Sequence, residues 1–270
     1  MGTSLNAWHE VAAPPVVPYR FGVFSVAEPR TATGVDLAPD EHWRLGLEWI
    51  SEACRDALVT SGPCIDPEVG PLESNRECNL FQFEPFTVYA FNTDALPGRT
   101  VRQHEANAVA RLTNGEQAAV ESVLWSRFVA ATPVPTSLTS VPGWVGLGWM
   151  EQALAEQYGS QGVIHMSRLA ATALGLYLRP DGGVLRTLLG TPVVAGGGYD
   201  ALQAVQGDTA AIFGTGPLVM YRGDIDTREN AVDLALNDVS IVAQRDYALG
   251  WDCVTIGAEI SLGCGSAGAG

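Results

Sequence analysis

The rhythm of apolar and polar residues changes several times along the chain, and each change predicts a different element. Over residues 1–38 short apolar pieces carrying Tyr19, Phe21, Val23 and Val26 are broken by prolines and show no helical period, which reads as an extended arm. From Asp40 the pattern becomes helical. Trp43, Leu47, Ile50, Cys54 and Ala57 recur at spacings of four, three, four and three, with Pro39 at the entrance, so residues 39–60 are expected to form a helix. Residues 61–105 are irregular, with Gly62-Pro63, Asp66-Pro67, Gly70-Pro71 and Pro97-Gly98 around one strand-like stretch from Phe81 to Phe91. A loop this long is normally functional or packed on a partner. Thr113 followed by Glu116 reads as a capping box, opening a helix whose face carries Val120, Val123, Leu124 and Phe128 and which ends near Ala131, before Pro133 and Pro135.

Another helix is expected from about Trp144 to Tyr158, with Met150, Ala153 and Leu154 on one side. The texture then becomes mixed: a strand at Val163–Met166, a helix capped by Ser167, a turn at Pro180-Asp181-Gly182-Gly183, and strands at Leu188–Ala195 and Ala210–Tyr221. Alternation returns at the end, in Val239/Ile241/Ala243, in Tyr247/Leu249/Trp251 and from Val254 to Leu262, predicting two or three neighbouring antiparallel strands. Residues 263–270 read as a flexible tail. The layout is α+β, with the chain leaving and re-entering one lobe.

Composition sharpens this picture. The 270 residues are 47% hydrophobic but only 17% charged, with 30 glycines and 16 prolines, as expected of a folded chain rich in turns whose surface is covered by neighbours. The net charge is −15, and all 15 cationic residues are arginine. These arginines lie singly along an acidic chain, which disfavours specific nucleic-acid recognition by clustered cations. No apolar run approaches about 18 residues and the start lacks a basic, then hydrophobic stretch, so neither a membrane span nor a signal peptide is expected. Cys54, Cys64, Cys78, Cys253 and Cys264 form no CxxC pair and are expected to be reduced thiols.

Catalytic patterns fail on spacing. Ser266 has Cys264 where a nucleophile elbow requires glycine, and His9, His42, His104 and His165 are isolated from one another. His165, in an apolar strand, is expected to be a hydrogen-bonded structural residue. Gly196-Gly197-Gly198 and Gly214-Thr215-Gly216 resemble phosphate loops, but a chain without lysine excludes a P-loop and Gly216 runs into Pro217. These glycines are expected where the backbone bends or a neighbour comes close. The acidic pairs Asp40/Glu41 and Asp224/Asp226 sit at a helix start and in a turn, where carboxylates satisfy backbone donors. No catalytic, cofactor-binding or metal-binding residue is assigned, and the chain is expected not to be an enzyme.

From residue 162 the order is Gly-Val-Ile-His-Met-Ser, a short helix, Pro-Asp-Gly-Gly, Leu-Leu-Gly-Thr-Pro-Val-Val-Ala-Gly, then Thr-Ala-Ala-Ile-Phe-Gly-Thr-Gly-Pro-Leu-Val-Met-Tyr-Arg. Near the end stand Asn237, Asp238, Ala243, Arg245, Tyr247, Leu249, Trp251 and Asp252. Both stretches resemble tailed-bacteriophage major capsid proteins, a fold shared with encapsulin nanocompartment shells. The resemblance implies an N-terminal arm (1–38), a helix (39–60), an extended loop overlapping a neighbour (61–105), a peripheral lobe with a spine helix (106–139), an axial lobe (140–228), peripheral-lobe closing strands (229–262) and the tail. It implies a subunit assembling into hexamers and pentamers of an icosahedral head in the virion, assembled in the host cytoplasm around double-stranded DNA, with a scaffolding or cementing protein and a portal as further partners and no membrane. Tyr19, Phe21, Phe24, Phe81, Phe83 and Phe86 are the candidate inter-subunit contacts. The lysine-to-asparagine cross-link of some such shells cannot form in a lysine-free chain. A host nanocompartment shell is the alternative, and an unrecognised hydrolase using Asp224 or His165 is the alternative of another class.

Overall fold

A computed structural model of the chain describes residues 17–27, 30–31, 43–51, 80–95, 100–199, 205–206, 208–233 and 238–263. The first strands are β1 (Arg30–Thr31), β2 (Leu47–Ile50), β3 (Leu80–Phe83) and β4 (Phe86–Ala95), followed by helix α1 (Val101–Ala131). The middle holds β5 (Thr136–Pro142), α2 (Gly143–Gln157), β6 (Val163–Ser167), α3 (Arg168–Ala173), β7 (Leu178–Asp181), β8 (Val184–Thr187), β9 (Pro192–Gly196), β10 (Val205–Gln206) and β11 (Thr209–Thr215). Last come β12 (Leu218–Arg222), β13 (Asp226–Asp233), β14 (Asp238–Trp251) and β15 (Thr255–Ser261).

Among the described residues three sheets result. In the first, the long strand β14 has β4 along one edge and β13 then β12 along the other, with β1 added parallel to β12. The second runs β5-β15-β11-β6-β9-β8-β7, with β10 beside β11. Strands β2 and β3 make a separate two-stranded ribbon.

Helix α1 covers one face of the first sheet. Its buried positions His104, Ala108, Leu112, Glu116, Val120, Leu124 and Phe128 fall every fourth residue, forming one continuous stripe. Against them pack Val88 from β4 and Ile241, Ala243, Tyr247 and Leu249 from β14. The second sheet is buried on both faces. Val163 and Phe213 point toward α1, while Ile164, Met166, Ile212 and Val193 face α2 and α3, so its central strands are apolar at nearly every position.

Several expected elements stand where the pattern placed them: α2, β6, the hairpin around Gly182-Gly183, and α3, whose cap Ser167 accepts from the Ala170 amide at 3.2 Å. Others differ for identifiable reasons. The helix expected over 39–60 is, where it is described, a 3-10 turn at Trp43–Leu45 followed by strand β2, because Trp49 stacks on Phe83 across the ladder and a period of two replaces the accidental helical spacing. Residues 52–79 lie outside the described residues, as do 1–16 of the arm. The spine helix begins at Val101, not near Asn114: its capping box is Thr100 with Gln103, and Thr113 lies mid-helix, donating to the Val109 carbonyl at 2.8 Å. The stretches expected as single strands at Phe81–Phe91 and Ala210–Tyr221 each split at a proline, Pro85 and Pro217, and each half enters a different sheet. The division at 228 therefore shifts: the chain leaves the second sheet at Gly216, and β15 returns to it, so the closing strands do not form one sheet. A further correction concerns Cys253, which has φ 59° and is disulfide-bonded, while the other four cysteines lie outside the described residues.

Gly115 sits mid-way along α1, exposed, with open space where a Cβ would be. Gly115→Ala is therefore expected to stabilise the chain by about 1 kcal/mol, since glycine costs that much in a helix interior. A urea-unfolding midpoint equal to or below that of the unaltered chain would contradict this.

Candidate assembly surface

Glu116 interrupts the stripe of α1 and Glu121 stands beside it, and each carboxylate gathers several elements. Glu116 is 3% exposed and accepts from Arg222 on β12, from Arg245 on β14 at 2.6 Å and from the Tyr247 hydroxyl at 2.9 Å. Burial lifts its pKa above the ordinary glutamate value, against the opposing hydrogen bond from Tyr247 and the charge of Arg222. With two guanidinium groups on one carboxylate, the ion cluster bolts the helix to two strands of the sheet it covers.

Glu121 lies five residues on and is fully buried. Its Oε1 accepts the Val23 amide at 2.9 Å, and its Oε2 accepts the Tyr19 hydroxyl at 2.5 Å and the Gly198 amide at 2.8 Å. Burial raises its pKa, only partly countered by these donors, and the Tyr19 and Tyr199 hydroxyls are raised as well, chiefly by burial. Glycine is obligatory at this junction: a Cβ at Gly198 would strike the Ala118 backbone and one at Gly22 would strike the Gln117 side chain. Beside Gly22, Phe21 has φ 66°, a left-handed backbone that costs a bulky residue about 1–3 kcal/mol.

The residues proposed as inter-subunit contacts are half-buried against their own chain. Tyr19 is on Glu121, with the Arg168 guanidinium 5.0 Å from its ring centre. Phe21 packs on the second core, and Phe24 stacks on Tyr247 at 6.3 Å. Phe86 stacks on the other side of the first core, 5.7 Å from Tyr247. Phe81 and Phe83 share the inward face of the β2–β3 ribbon with Leu47 and Trp49, and Phe83 meets Trp251 at 4.8 Å. Trp49 adds a hydrogen bond to Asp252 at 3.0 Å, and Tyr158 from the end of α2 reaches the same carboxylate at 3.2 Å.

Strand parity then puts a different set outward. Glu48, Gln82, Ile50 and Leu80 occupy the ribbon's other face, and the directly paired Ile50 and Leu80 are 60% and 53% exposed. On the outer face of β4, Tyr89 and Phe91 are also exposed. Alternation within these strands was the signal that could have found all four.

His165 is sealed in the core between the Tyr199 hydroxyl at 2.7 Å and the Thr215 hydroxyl at 3.0 Å, and burial pushes its pKa down to about 3, the state of a structural imidazole. Asp224 is exposed, at the rim of an open hollow of about 410 Å³ that also carries Arg44, Asp226, Arg245 and Asp246. The two residues named for the hydrolase reading are thus in different settings. Among the described residues no group of three or more His, Cys, Asp or Glu is placed to hold a metal ion, and no helix is long and apolar enough to cross a membrane.

No family model matches the chain, and neither does any curated protein. Its fold does match solved structures along almost the whole length. The capsid of an empty GTA particle aligns with TM-score 0.58 at 11% identity, covering 95% of each chain. The head of Helicobacter pylori bacteriophage KHP40 aligns at 0.54 and 11%, and the capsid of Ralstonia phage GP4 at 0.52 and 14%, each covering 96% of both chains. The chain has the fold of tailed-phage capsid subunits.

The folded-state pKa of Glu121 is raised above its unfolded value, so its contribution to stability is present below the unfolded value and lost as pH rises through the folded one. Relative to Glu121→Gln, the intact chain is expected to lose stability as the pH rises through and above the ordinary glutamate range. Chemical denaturation of both chains across that range checks this, and a difference that stays flat or rises with pH contradicts it.

Proposed function

We propose that this chain is a major capsid protein, the structural subunit of an icosahedral shell that encloses phage DNA, and that it works by self-association and not by catalysis. The observation that carries this reading is the agreement in fold with phage capsid structures from end to end, 95% or 96% of both chains for each structure compared above. The arrangement in hexamers and pentamers, the portal and scaffolding partners, and residence in the virion follow from the same reading.

Physical features of the chain favour it. In this reading β2 and β3 are the base of the extended loop, and Ile50 and Leu80 are the apolar pair that meets a neighbouring subunit. Phe81 and Phe83 hold the ribbon at its angle from the inner side, through Trp49 and Trp251. A net charge of −15 keeps packaged DNA from adhering to the shell. With no lysine to form an isopeptide bond, overlap between subunits carries the shell's stability, aided by a cementing protein where one is present.

Electron microscopy and light scattering of the purified chain are expected to show closed shells or capsomer rings, whereas a monodisperse monomer under every condition of salt, pH and concentration would overturn the proposal. Replacing both Ile50 and Leu80 by aspartate is expected to leave the circular dichroism spectrum and unfolding midpoint nearly unchanged while abolishing assembly. Normal shells from that double variant would remove the ribbon from the interface.

A further inference from the structure

Residues 19–27 cross between two separate cores. On one side Val23 and Ala27 are buried in the core under α1, with Phe24 stacked on Tyr247 of β14. On the other, Phe21 packs on the core beneath α2 and α3, and its carbonyl accepts the Ala195 amide of β9 at 2.8 Å. Arg168, at the start of α3, donates to the Arg20 carbonyl at 3.0 Å. The segment has almost no regular structure of its own, one 3-10 turn at Val23–Ser25. What fixes it is its attachment at both ends.

Those attachments converge on one side chain. Glu121 takes one donor from the segment's side chains, one from its backbone and one from the turn after β9, and each of the three comes from a point remote in sequence from the helix. A carboxylate with its acceptor sites filled from two bodies is a joint: removing either body leaves a buried charge short of partners, so the two contacts support each other. Glu121 has no cation among the partners the structure gives it, unlike Glu116 with its two arginines. The left-handed Phe21 backbone is tolerated only while the segment is seated.

We infer that residues 19–27 are a strap latched by Glu121 of α1, and that the strap and the β9 turn open and close as one unit, setting how the eight-stranded sheet sits against α1. The unit is local. It can open without unfolding β14, whose amides belong to the ladder with β4 and β13. The device belongs to the single chain and stands whether or not shells form.

Site-resolved hydrogen exchange on the full chain tests this through four amides: Val23 and Gly198, which donate to Glu121, Ala195, which donates to Phe21, and Ile241 in β14 as the reference. In the unaltered chain the first three are expected to share one opening constant, faster than that of Ile241. Glu121→Ala should lower the protection of all three by the same factor, on the order of 100-fold, with Ile241 unchanged. Where that variant fails to fold, Tyr19→Phe decides, since it keeps the ring and removes one donor: a smaller but equal loss at the three amides supports the latch. Loss at Val23 alone, with Gly198 and Ala195 still protected, would overturn it, as would Ile241 falling in step with the others.

Discussion

The buried stripe on α1 advances by four residues at each step, and an α-helix turns about 100° per residue, so the stripe winds around the helix by about 40° per step. From His104 to Phe128 it sweeps about 240°. A stripe confined to one face could serve only one sheet. This one begins against β4, where His104 meets Asn92 at 3.0 Å, passes over β12 and β14 at Glu116, and ends at Phe128, which contacts His165 and Phe213 of the other sheet. Helix α1, about 46 Å long, is thus the element that makes two sheets into one body. The strap, whose 3-10 turn packs on the helix, is placed by it as well.

Charge enters the stripe where apolar contact alone would leave the helix free to slide. A line of leucines and alanines packs almost equally well one turn higher or lower, whereas Glu116 must meet Arg222, Arg245 and Tyr247 together, and Glu121 must meet Val23, Tyr19 and Gly198. A shift of one turn would leave both carboxylates buried and unpaired, at a cost of several kcal/mol each. Desolvation is the counterweight, visible in the raised pKa of both groups. The net effect is specificity of register more than stability.

This logic also explains what could be read from the chain beforehand. Elements whose buried positions are large and apolar stood out: α2 through Met150 and Leu154, β6 through Ile164 and Met166, and the later half of α1 through Val120, Leu124 and Phe128. The first half of α1 did not, because of its inward stripe positions His104, Ala108, Leu112 and Glu116 only Leu112 is large and apolar, and because Asn114-Gly115 looks like a turn that tertiary packing overrides. The helix expected at 39–60 rested on Trp43, Leu47, Ile50, Cys54 and Ala57, but the described Leu47 and Ile50 fall on opposite faces of β2, which Phe81 and Phe83 draw into a ladder. Glu121 gave no local signal, since its partners lie 77 to 102 residues away. The fold class was legible in its texture, and the long-range polar joints were not.

The absence of lysine acquires a structural meaning in this light. Among the described residues arginines serve as internal staples for carbonyls as well as carboxylates. Arg127 bridges the carbonyls of Glu84 and Leu249, Arg168 those of Arg20 and Ala195, and Arg111 takes that of Phe91 on the open edge of β4. Arg127 uses both prongs of its planar fork for two separate acceptors, a geometry poorly matched by a single ammonium group. Arg127 is half-buried while Arg111 and Arg168 stay exposed, so these staples do not hide their charge, and the acidity of the chain comes from its 30 Asp and Glu against 15 Arg. The choice of cation therefore serves the coherence of the subunit, and the acidic excess, on the shell reading, serves a surface from which a polyanion slides freely.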